Sequence, residues 1–270
     1  MTSIYIKTEE YSSMENSTPI YDSLYKKKVI VTGGATGIGS YITRYFYEQG
    51  SQVFVLDIKK KESIDLVESL PNTKTKIKPE IYYCDLIDIH SIEEVFKNIY
   101  TQFGYLDVLC NNAADDERHD WEKISSSEWD YFQNINLKSQ FFCIREFSKY
   151  VSFNNGSSII CMGSISYLNG STEMPSYTTA KSGIVGLVNT MANILGKKGI
   201  RINLIQPGWV MTEKQLSKWI DKKAEEMIEE NQLLEGRISP DEPAKLVLFL
   251  ASDQSKMITK QIINLDGGWV

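Results

Sequence analysis

The sequence predicts a doubly wound α/β domain: one parallel sheet of about seven strands with helices on both faces. Three observations carry this expectation. Short β-branched runs alternate with longer helical stretches from Lys26 onward, the pattern of strand-helix-strand crossovers. The short runs are apolar almost throughout, as in strands covered on both sides. A glycine-rich turn joins the first run to the first helical stretch, where sheets of this kind approach a phosphate-bearing ligand.

The expected strands are 28–33 (KVIVTG), 52–57 (QVFVLD), 80–85 (EIYYCD), 106–112 (LDVLCNN), 157–163 (SSIICMG), 199–205 (GIRINLI) and 261–266 (QIINLD). Helical stretches are expected at 37–49, 62–70, 89–103, 126–151, 175–196, 213–233 and 241–252. Segment 58–79, rich in Lys and Thr, reads as a loose crossover. No repeat or linker interrupts the alternation, which predicts a single domain over residues 25–270. Residues 1–24 are polar, broken by Ser, Asn, Thr and Pro19, with Lys7 their only basic residue. They lack the basic start and apolar stretch of a secretory signal and the arginines of a transit peptide, so a flexible extension and a cytoplasmic location are expected.

Composition narrows the chemistry. The 270 residues carry 29 Lys+Arg against 35 Asp+Glu, a net charge of −6, which argues against a phosphate-tracking nucleic-acid binder. No apolar run reaches the ~18 residues of a membrane span. Two histidines, His90 and His119, leave little room for a multi-histidine metal site or a Ser-His-Asp hydrolase, and no metal is expected. Cys84, Cys110, Cys143 and Cys161 have no CxxC spacing and read as small buried residues of a reduced compartment.

The first strand runs into Thr32-Gly33-Gly34-Ala35-Thr36-Gly37-Ile38-Gly39. Glycines here let the backbone turn tightly and approach a pyrophosphate seated among the free N–H groups of a helix start. The spacing is Gly-x3-Gly-x-Gly rather than the GxGxxG fingerprint. Asp57 ends the second strand 18 residues after Gly39, where dinucleotide folds place an acid on the adenosine ribose. A carboxylate accepts ribose hydroxyl protons and repels a 2′-phosphate, so NAD is expected over NADP; Lys59, Lys60 and Lys61 partly offset that repulsion. Asp85 and the Asn111–Asn112 pair close the third and fourth strands, within reach of adenine and ribose respectively. The bland alternatives are a solvated strand end for Asp57 and a turn-forming role for the asparagines.

Tyr177 and Lys181 stand four residues apart at the start of an apolar helical stretch, so they share a helix face. An ammonium beside a phenol favours phenolate, and a tyrosine so tuned serves as general acid/base for an alcohol or carbonyl oxygen. Ser164 lies 13 residues earlier, at the end of the fifth strand, placed to hold the same oxygen. Asn136, in NINLKSQFF, is expected to anchor a proton-relay water through its amide or backbone. Taken alone, Tyr-x3-Lys describes many surface helix contacts; four polar groups at one sheet edge beside a dinucleotide turn do not.

From Lys28 to Val270 the sequence resembles the short-chain dehydrogenase/reductase family, through TGGATGIG (32–39), Asp57, Asp85, NNAA (111–114), Asn136, Ser164, YTTAK (177–181) and PGWVMT (207–212). The resemblance implies a Rossmann-like sheet and an Asn136-Ser164-Tyr177-Lys181 site. It implies cofactor contacts at Gly33, Thr36, Gly37, Ile38, Gly39, Asp57, Asp85, Leu86, Asn112 and Ala113. Further contacts are implied at Tyr177, Lys181, Pro207, Gly208, Val210 and Thr212, the last at the nicotinamide carboxamide. Ala114 stands where the family usually has glycine. A homo-oligomer, dimer or tetramer, is also implied, with 126–151 and 175–196 as contact surfaces.

Within that family, NNAADDERHDW (111–121), SQFFC (139–143), MGSIS (162–166) and PGWVMTEKQ (207–215) look like sugar (aldose) 1-dehydrogenases of the xylose and galactose type. Asp115 and Glu117 depart from that pattern; Asp116, Arg118 and His119 match it. The expected reaction is oxidation of an aldose at C1 to its lactone. Asp115, Asp116, Gln140, Ser164, Ser166, Tyr177 and Trp209 are the candidate substrate contacts, Trp209 offering a flat face to a pyranose ring. The competing readings are a self-paired solvated loop for 115–120, a packing role for Trp209 and a loop-positioning role for His119. The alternatives for function are a polyol, steroid-like or 3-oxoacyl substrate, or a nucleotide-sensing or scaffold protein on the same fold. Segment 213–235, charged and amphipathic, is expected to form a helical lid.

Overall fold

The computed structural model describes residues 18–73, 75–152 and 156–270. Its strands are β1 (Lys28–Thr32), β2 (Gln52–Asp57), β3 (Glu80–Tyr83), β4 (Val108–Asn111), β5 (Ser158–Met162), β6 (Arg201–Pro207) and β7 (Ile262–Leu265). They form one sheet in the order β3-β2-β1-β4-β5-β6-β7, every neighbouring pair parallel. The helices are α1 (Gly37–Glu48), α2 (Lys60–Ser69), α3 (Ile89–Phe103), α4 (Ser126–Gln133), α5 (Ser139–Phe147), α6 (Pro175–Leu195), α7 (Glu213–Lys218), α8 (Lys222–Asn231) and α9 (Asp241–Ala251). This is the Rossmann-like doubly wound architecture the sequence predicts.

The apolar strand runs exist because both sheet faces are covered. Alternate residues feed two cores, as the period of two in a strand demands. Ile30, Phe54, Leu56, Leu109, Ile159 and Leu204 pack under Phe96 of α3, Phe147 of α5 and Val188 of α6. Their neighbours Val29, Val31, Val53, Val55, Cys110 and Ile160 pack under Phe46 of α1 and Val247 of α9. Because all strands run the same way, their carboxyl ends Thr32, Asp57, Asn111, Met162 and Pro207 gather on one edge. The strand order reverses between β1 and β4, which opens the crevice where such sheets take ligands.

Three expectations change. Residues 1–17 lie outside the described residues, but 18–24 are tied to the domain. Tyr21 N–H donates to Gln49 Oε1 at 2.8 Å, Gln49 Nε2 donates to the Pro19 carbonyl at 2.9 Å, and Leu24 is fully buried in the α1/α9 core. The stretch 126–151 is not one plain helix: a π turn at Asn134–Lys138 joins α4 to α5, and Phe147 ends it. The stretch 213–233 breaks between α7 and α8, where the Asp221 carboxylate caps α8 by accepting from Ala224 N–H at 2.8 Å. An Asp at that point satisfies an otherwise unpaired helix-start donor and so starts a new helix.

Candidate active site

The cofactor edge is built by backbone. Gly33 has φ +60° and Gly37 φ +54°, left-handed conformations natural to glycine. A Cβ on Gly33 would lie 2.8 Å from Ala113 Cα, and one on Gly39 would lie 1.9 Å from the Gly33 carbonyl oxygen. Thr36 precedes α1 without a side-chain cap, which leaves the first-turn N–H groups of α1 for an anion. The turn is therefore stripped of side chains and lined with donors, and it fits a pyrophosphate. Asp57 is buried and held at both oxygens: Ala35 N–H donates to Oδ2 at 3.0 Å and Lys59 N–H to Oδ1 at 2.9 Å. Lys59 Nζ rests 3.4 Å from Thr36 Oγ1.

Asn112 and Ala113 dock β4 onto this turn. Asn112 Nδ2 donates to the carbonyls of Thr32 at 3.1 Å and Gly33 at 3.0 Å, so its amide braces the turn. Asn111 is buried and donates to the Gln140 carbonyl at 3.1 Å. Asp85 is exposed after β3, its Oδ1 accepting from Ile87 N–H at 3.0 Å, beside buried Leu86. Pro207 ends β6, and Gly208 lets the chain pass Asp266, since a Cβ there would be 2.9 Å from Asp266 Cα. Val210 bridges Ile238. Thr212 caps α7, accepting from Gln215 N–H at 3.3 Å, and its methyl lies 3.5 Å from the Cβ position of Gly37. The N-cap of α7 thus stands beside Gly37 of the glycine turn.

Lys181 and Tyr177, one turn apart on α6, are both buried. Lys181 Nζ donates to the Met162 carbonyl at 2.9 Å and lies 5.4 Å from the Tyr177 ring centre. Burial pushes the Lys181 ammonium down to about 8, against the pull of the Asp116 carboxylate. The Tyr177 phenol goes the other way: burial and the charge of Asp116 raise it well above the usual phenol range, opposed by the Ser164 hydroxyl. This corrects the expectation that Lys181 holds the phenol low. Desolvation outweighs a cation whose hydrogen bond is directed at Met162.

Ser164 Oγ accepts from Ser166 N–H at 3.1 Å, and its carbonyl accepts from Gln206 Nε2 at 3.2 Å. The Ser166 hydroxyl is buried and unpartnered. Asn136 is fully buried in the π turn. Its Oδ1 accepts from Asp115 N–H at 3.0 Å, and its Nδ2 donates to the carbonyls of Asp115 at 2.9 Å and Phe132 at 3.0 Å. Both amide hydrogens are spent, so the amide has no donor left for a relay water. Gly183 of α6 packs closely on the π turn, since a Cβ there would lie 2.8 Å from Leu137 Cδ2.

Several of the expected substrate contacts have partners within the protein. Gln140 is buried behind Lys181, its Nε2 donating at 3.2 Å to the same Met162 carbonyl, and does not reach the rim. Asp115 Oδ2 accepts from Tyr131 OH at 3.1 Å. Asp116 Oδ1 accepts from Lys214 Nζ at 2.6 Å, its Oδ2 from Gln215 Nε2. Trp209 Nε1 donates to Gln215 Oε1 at 2.9 Å, and one face of its ring meets Arg118, which lies 5.5 Å from that ring and 4.1 Å from the ring of Trp219. Their polar groups are used within the protein because the oppositely charged α7 lies against them. His119 is loop-positioning, as one reading had it: its N–H donates to the Glu173 carbonyl at 2.9 Å, its ring stacks on Phe132, and Nε2 accepts from Ser176 N–H at the start of α6 at 3.4 Å.

Met162, Gln206, Lys214 and Trp219 were not among the expected site residues. A sequence signal existed for one: Lys214 and Lys218, four apart, match the acidic run 115–117 in charge. The Met162 carbonyl has none, since any residue supplies it. Among the described residues no cluster of His, Cys, Asp or Glu suits a metal, and no helix is long and apolar enough to cross a membrane.

A family model described as enoyl-(acyl carrier protein) reductase matches residues 33–270. The chain belongs to the short-chain dehydrogenase/reductase family. It is 38% identical over 253 residues to a D-xylose 1-dehydrogenase of Caulobacter vibrioides (strain NA1000 / CB15N), covering 94% of this chain and 99% of that protein. It is 34% identical to a probable galactose dehydrogenase of Rhizobium meliloti (strain 1021), covering 92% and 96%. It is 31% identical to a 3-oxoacyl-[acyl-carrier-protein] reductase of Thermotoga maritima, covering 90% and 98%. Among solved structures, a short-chain dehydrogenase/reductase from Serratia marcescens BCRC 10948 superposes with a TM-score of 0.83 at 26% identity, covering 92% and 99%. This family member is a nicotinamide-dependent oxidoreductase acting on an alcohol or its carbonyl counterpart.

Proposed function

We propose that the protein oxidises a cyclic aldose at C1 to its lactone, with NAD as the hydride acceptor. The observation that carries this reading is the buried Tyr177–Lys181 pair beside Ser164, on the same sheet edge as the glycine turn. The first two relatives, 38% and 34% identical, are a xylose and a probable galactose dehydrogenase and support the sugar.

In this mechanism Ser164 Oγ and the Tyr177 phenol hold the anomeric oxygen. Tyr177, as phenolate, takes the hydroxyl proton while the C1 hydrogen leaves with its electron pair. The oxidised nicotinamide supplies the hydride acceptor and a positive ring charge that favours phenolate. Lys181 keeps a cation beside the phenol, and the backbone carbonyl of Asn136 holds the water through which the proton leaves. The first-turn N–H groups of α1 bind the pyrophosphate, Asp57 the adenosine ribose, and Thr212 the carboxamide. NAD is favoured because a 2′-phosphate would face the buried Asp57 carboxylate, with Lys59 placed to soften the clash. In Asp57→Ser the preference is expected to move towards NADP.

Segment 213–235 acts in this reading as a lid over the edge, and the exposed Trp129, Phe141 and Ile194 on α4, α5 and α6 suit a dimer or tetramer. Four buried free cysteines fit a reducing, cytoplasmic setting. A second reading, reduction of a 3-oxoacyl group, is favoured by the acyl-carrier-protein names of the family model and of the third relative; the charged rim at Asp115, Asp116 and Glu117 argues against a long acyl chain. An aldose panel with NAD and NADP, followed by absorbance of the reduced cofactor, decides between them. Turnover of D-xylose or D-galactose is expected; no aldose turnover together with activity on an acyl thioester would overturn the sugar reading.

A further inference from the structure

One carbonyl in the site carries two side-chain donors. The Met162 oxygen accepts from Lys181 Nζ at 2.9 Å and from Gln140 Nε2 at 3.2 Å. The sheet leaves it free to do so. Gly163 N–H donates to the Ile205 carbonyl of β6 at 2.7 Å, and across a trans peptide the Met162 oxygen then points the opposite way, towards β4. There the pairing stops at Asn111 opposite Cys161, one residue short of Met162. The next two N–H groups of that strand end, those of Asn112 and Ala113, are both turned to Thr32 Oγ1 at 3.0 and 3.1 Å. Gln140 is held at the vacant carbonyl by the same strand end, because Asn111 Nδ2 donates to the Gln140 backbone carbonyl at 3.1 Å. Asn111, Gln140 and Lys181 are all buried.

We propose that Gln140 is a positioning residue for Lys181: it occupies one side of the Met162 carbonyl, leaves the ammonium the other side, and so fixes where the cation stands against the Tyr177 ring. The inference rests on the reading of Tyr177 and Lys181 as the acid/base pair. A carbonyl oxygen has two lone pairs, and donors approach broadly along them. With Gln140 on one, Lys181 takes the other. That constraint matters because the lysine stem is flexible and Met162 is the one hydrogen-bond partner of its ammonium among the described residues. Asp116 and Cys161 bear on Lys181 through charge but form no hydrogen bond with it, so neither sets its direction.

A second observation points the same way. Gln140 Oε1 is buried without a hydrogen-bond partner, in a residue only 2% exposed. A buried acceptor without a donor is destabilising, and an apolar side chain of similar size would fill the space without that cost. Packing alone therefore does not account for an amide here. What the amide supplies is its N–H on Met162. The reverse orientation would set Oε1 against the Met162 oxygen, so the donor end is the one that faces the shared carbonyl.

The test uses two variants. Gln140→Glu keeps the shape but accepts where the amide donates, drawing the ammonium off Met162; Gln140→Leu removes the donor without adding charge. Lys181 is followed without any turnover, by NMR titration of the full-length protein carrying 13Cε-labelled lysine, its resonance assigned by loss in Lys181→Met. Its midpoint, about 8 in the parent, is expected to rise by about one pH unit or more in Gln140→Glu. In Gln140→Leu, kcat for NAD-dependent oxidation of D-xylose should fall about ten- to a hundredfold, with KM for the sugar within about threefold of the parent. The acid-side midpoint of kcat/KM should rise by about half a unit, since a cation less firmly placed favours phenolate less. Gln140→Met, unbranched like glutamine, repeats this arm where leucine is not accommodated. Parental kcat and pH midpoint in the apolar variants, or no rise for Lys181 in Gln140→Glu, overturn the inference. If the parent oxidises no aldose, the sugar reading fails instead, and the kinetic arm is read on the alcohol that the protein does oxidise. Full activity in Tyr177→Phe removes the acid/base reading, while the Lys181 titration still reports whether Gln140 stands beside the cation.

Discussion

The inner and outer halves of the site are held by different forces. The inner half consists of the glycine turn, the strand tips and the α6 pair, joined by buried hydrogen bonds such as Lys181 to Met162 and Asn111 to Gln140. The outer half, residues 115–119 against 209–219, is joined by ion pairs whose side chains keep contact with water, Lys214 and Lys218 being 39% and 48% exposed. Buried bonds in low dielectric fix geometry to fractions of an ångström, while exposed pairs each contribute about 0–1 kcal/mol and are screened by salt. The comparison teaches that the inner half is held by bonds salt scarcely touches, while the outer half is held by pairs that salt weakens.

The comparison breaks first at Tyr177. Tyr177→Phe removes the acid/base atom and is expected to lower kcat by about 10²–10⁴ while NAD affinity, read by quenching of protein fluorescence, stays within a few-fold of the parent. Activity near the parent value would remove Tyr177 from the chemistry. Next comes the turn: Gly39→Ala forces a Cβ into the Gly33 carbonyl, 1.9 Å away. NAD binding is expected to weaken more than tenfold, with thermal unfolding lowered by several degrees, and unchanged binding would contradict the cradle.

Lys181→Met makes the inner half more stable as it becomes inactive. The buried ammonium titrates at about 8 in the folded protein, below the ~10.4 of an unfolded chain. The native state thus carries the cost of a buried charge at every pH below about 8, a cost relieved as pH rises towards 10, so stability should climb across that interval. Replacing the lysine by a similarly sized apolar side chain is expected to stabilise by about 2 kcal/mol after the lost Met162 hydrogen bond is counted; thermal melts at pH 7 and pH 9 check both statements, and a lower melting temperature for the variant would refute them. The smallest effect is in the outer half. Raising salt to about 1 M should increase protease nicking within 213–235 and raise KM for sugar about two- to fivefold, with NAD affinity changed less. Equal salt effects on sugar and cofactor would erase the distinction between the halves.

What was legible in the sequence follows the same division. The seven strands were readable because a two-sided parallel sheet demands continuous apolar runs, and Val29 to Val31 or Val53 to Leu56 supply them. The glycine turn, Asp57, Ser164, Tyr177 and Lys181 were readable because each sits at a strand tip or helix start whose position the alternation already sets. The π turn around Asn136 was not, since the helices on either side have only eight and nine residues, too few turns for a shift of the apolar face to show. Nor were the real partners of Gln140, Asp115 and Asp116. A polar residue beside a site reads alike whether it faces substrate or protein, until the long-range contact, Asp116 with Lys214 for instance, is known. The docking of residues 18–24 was hidden by their polar composition, because backbone groups of Pro19 and Tyr21, which any residue could supply, tie them down together with Leu24.

The central claim is hydride transfer from C1 of an aldose at the Tyr177–Lys181 pair. C1-deuterated D-xylose and NAD, incubated with the protein and followed by mass spectrometry of the cofactor, test it directly. The account predicts reduced cofactor carrying one deuterium in the parent protein and none formed in Tyr177→Phe. Unlabelled reduced cofactor, or labelled cofactor formed equally by Tyr177→Phe, would contradict it.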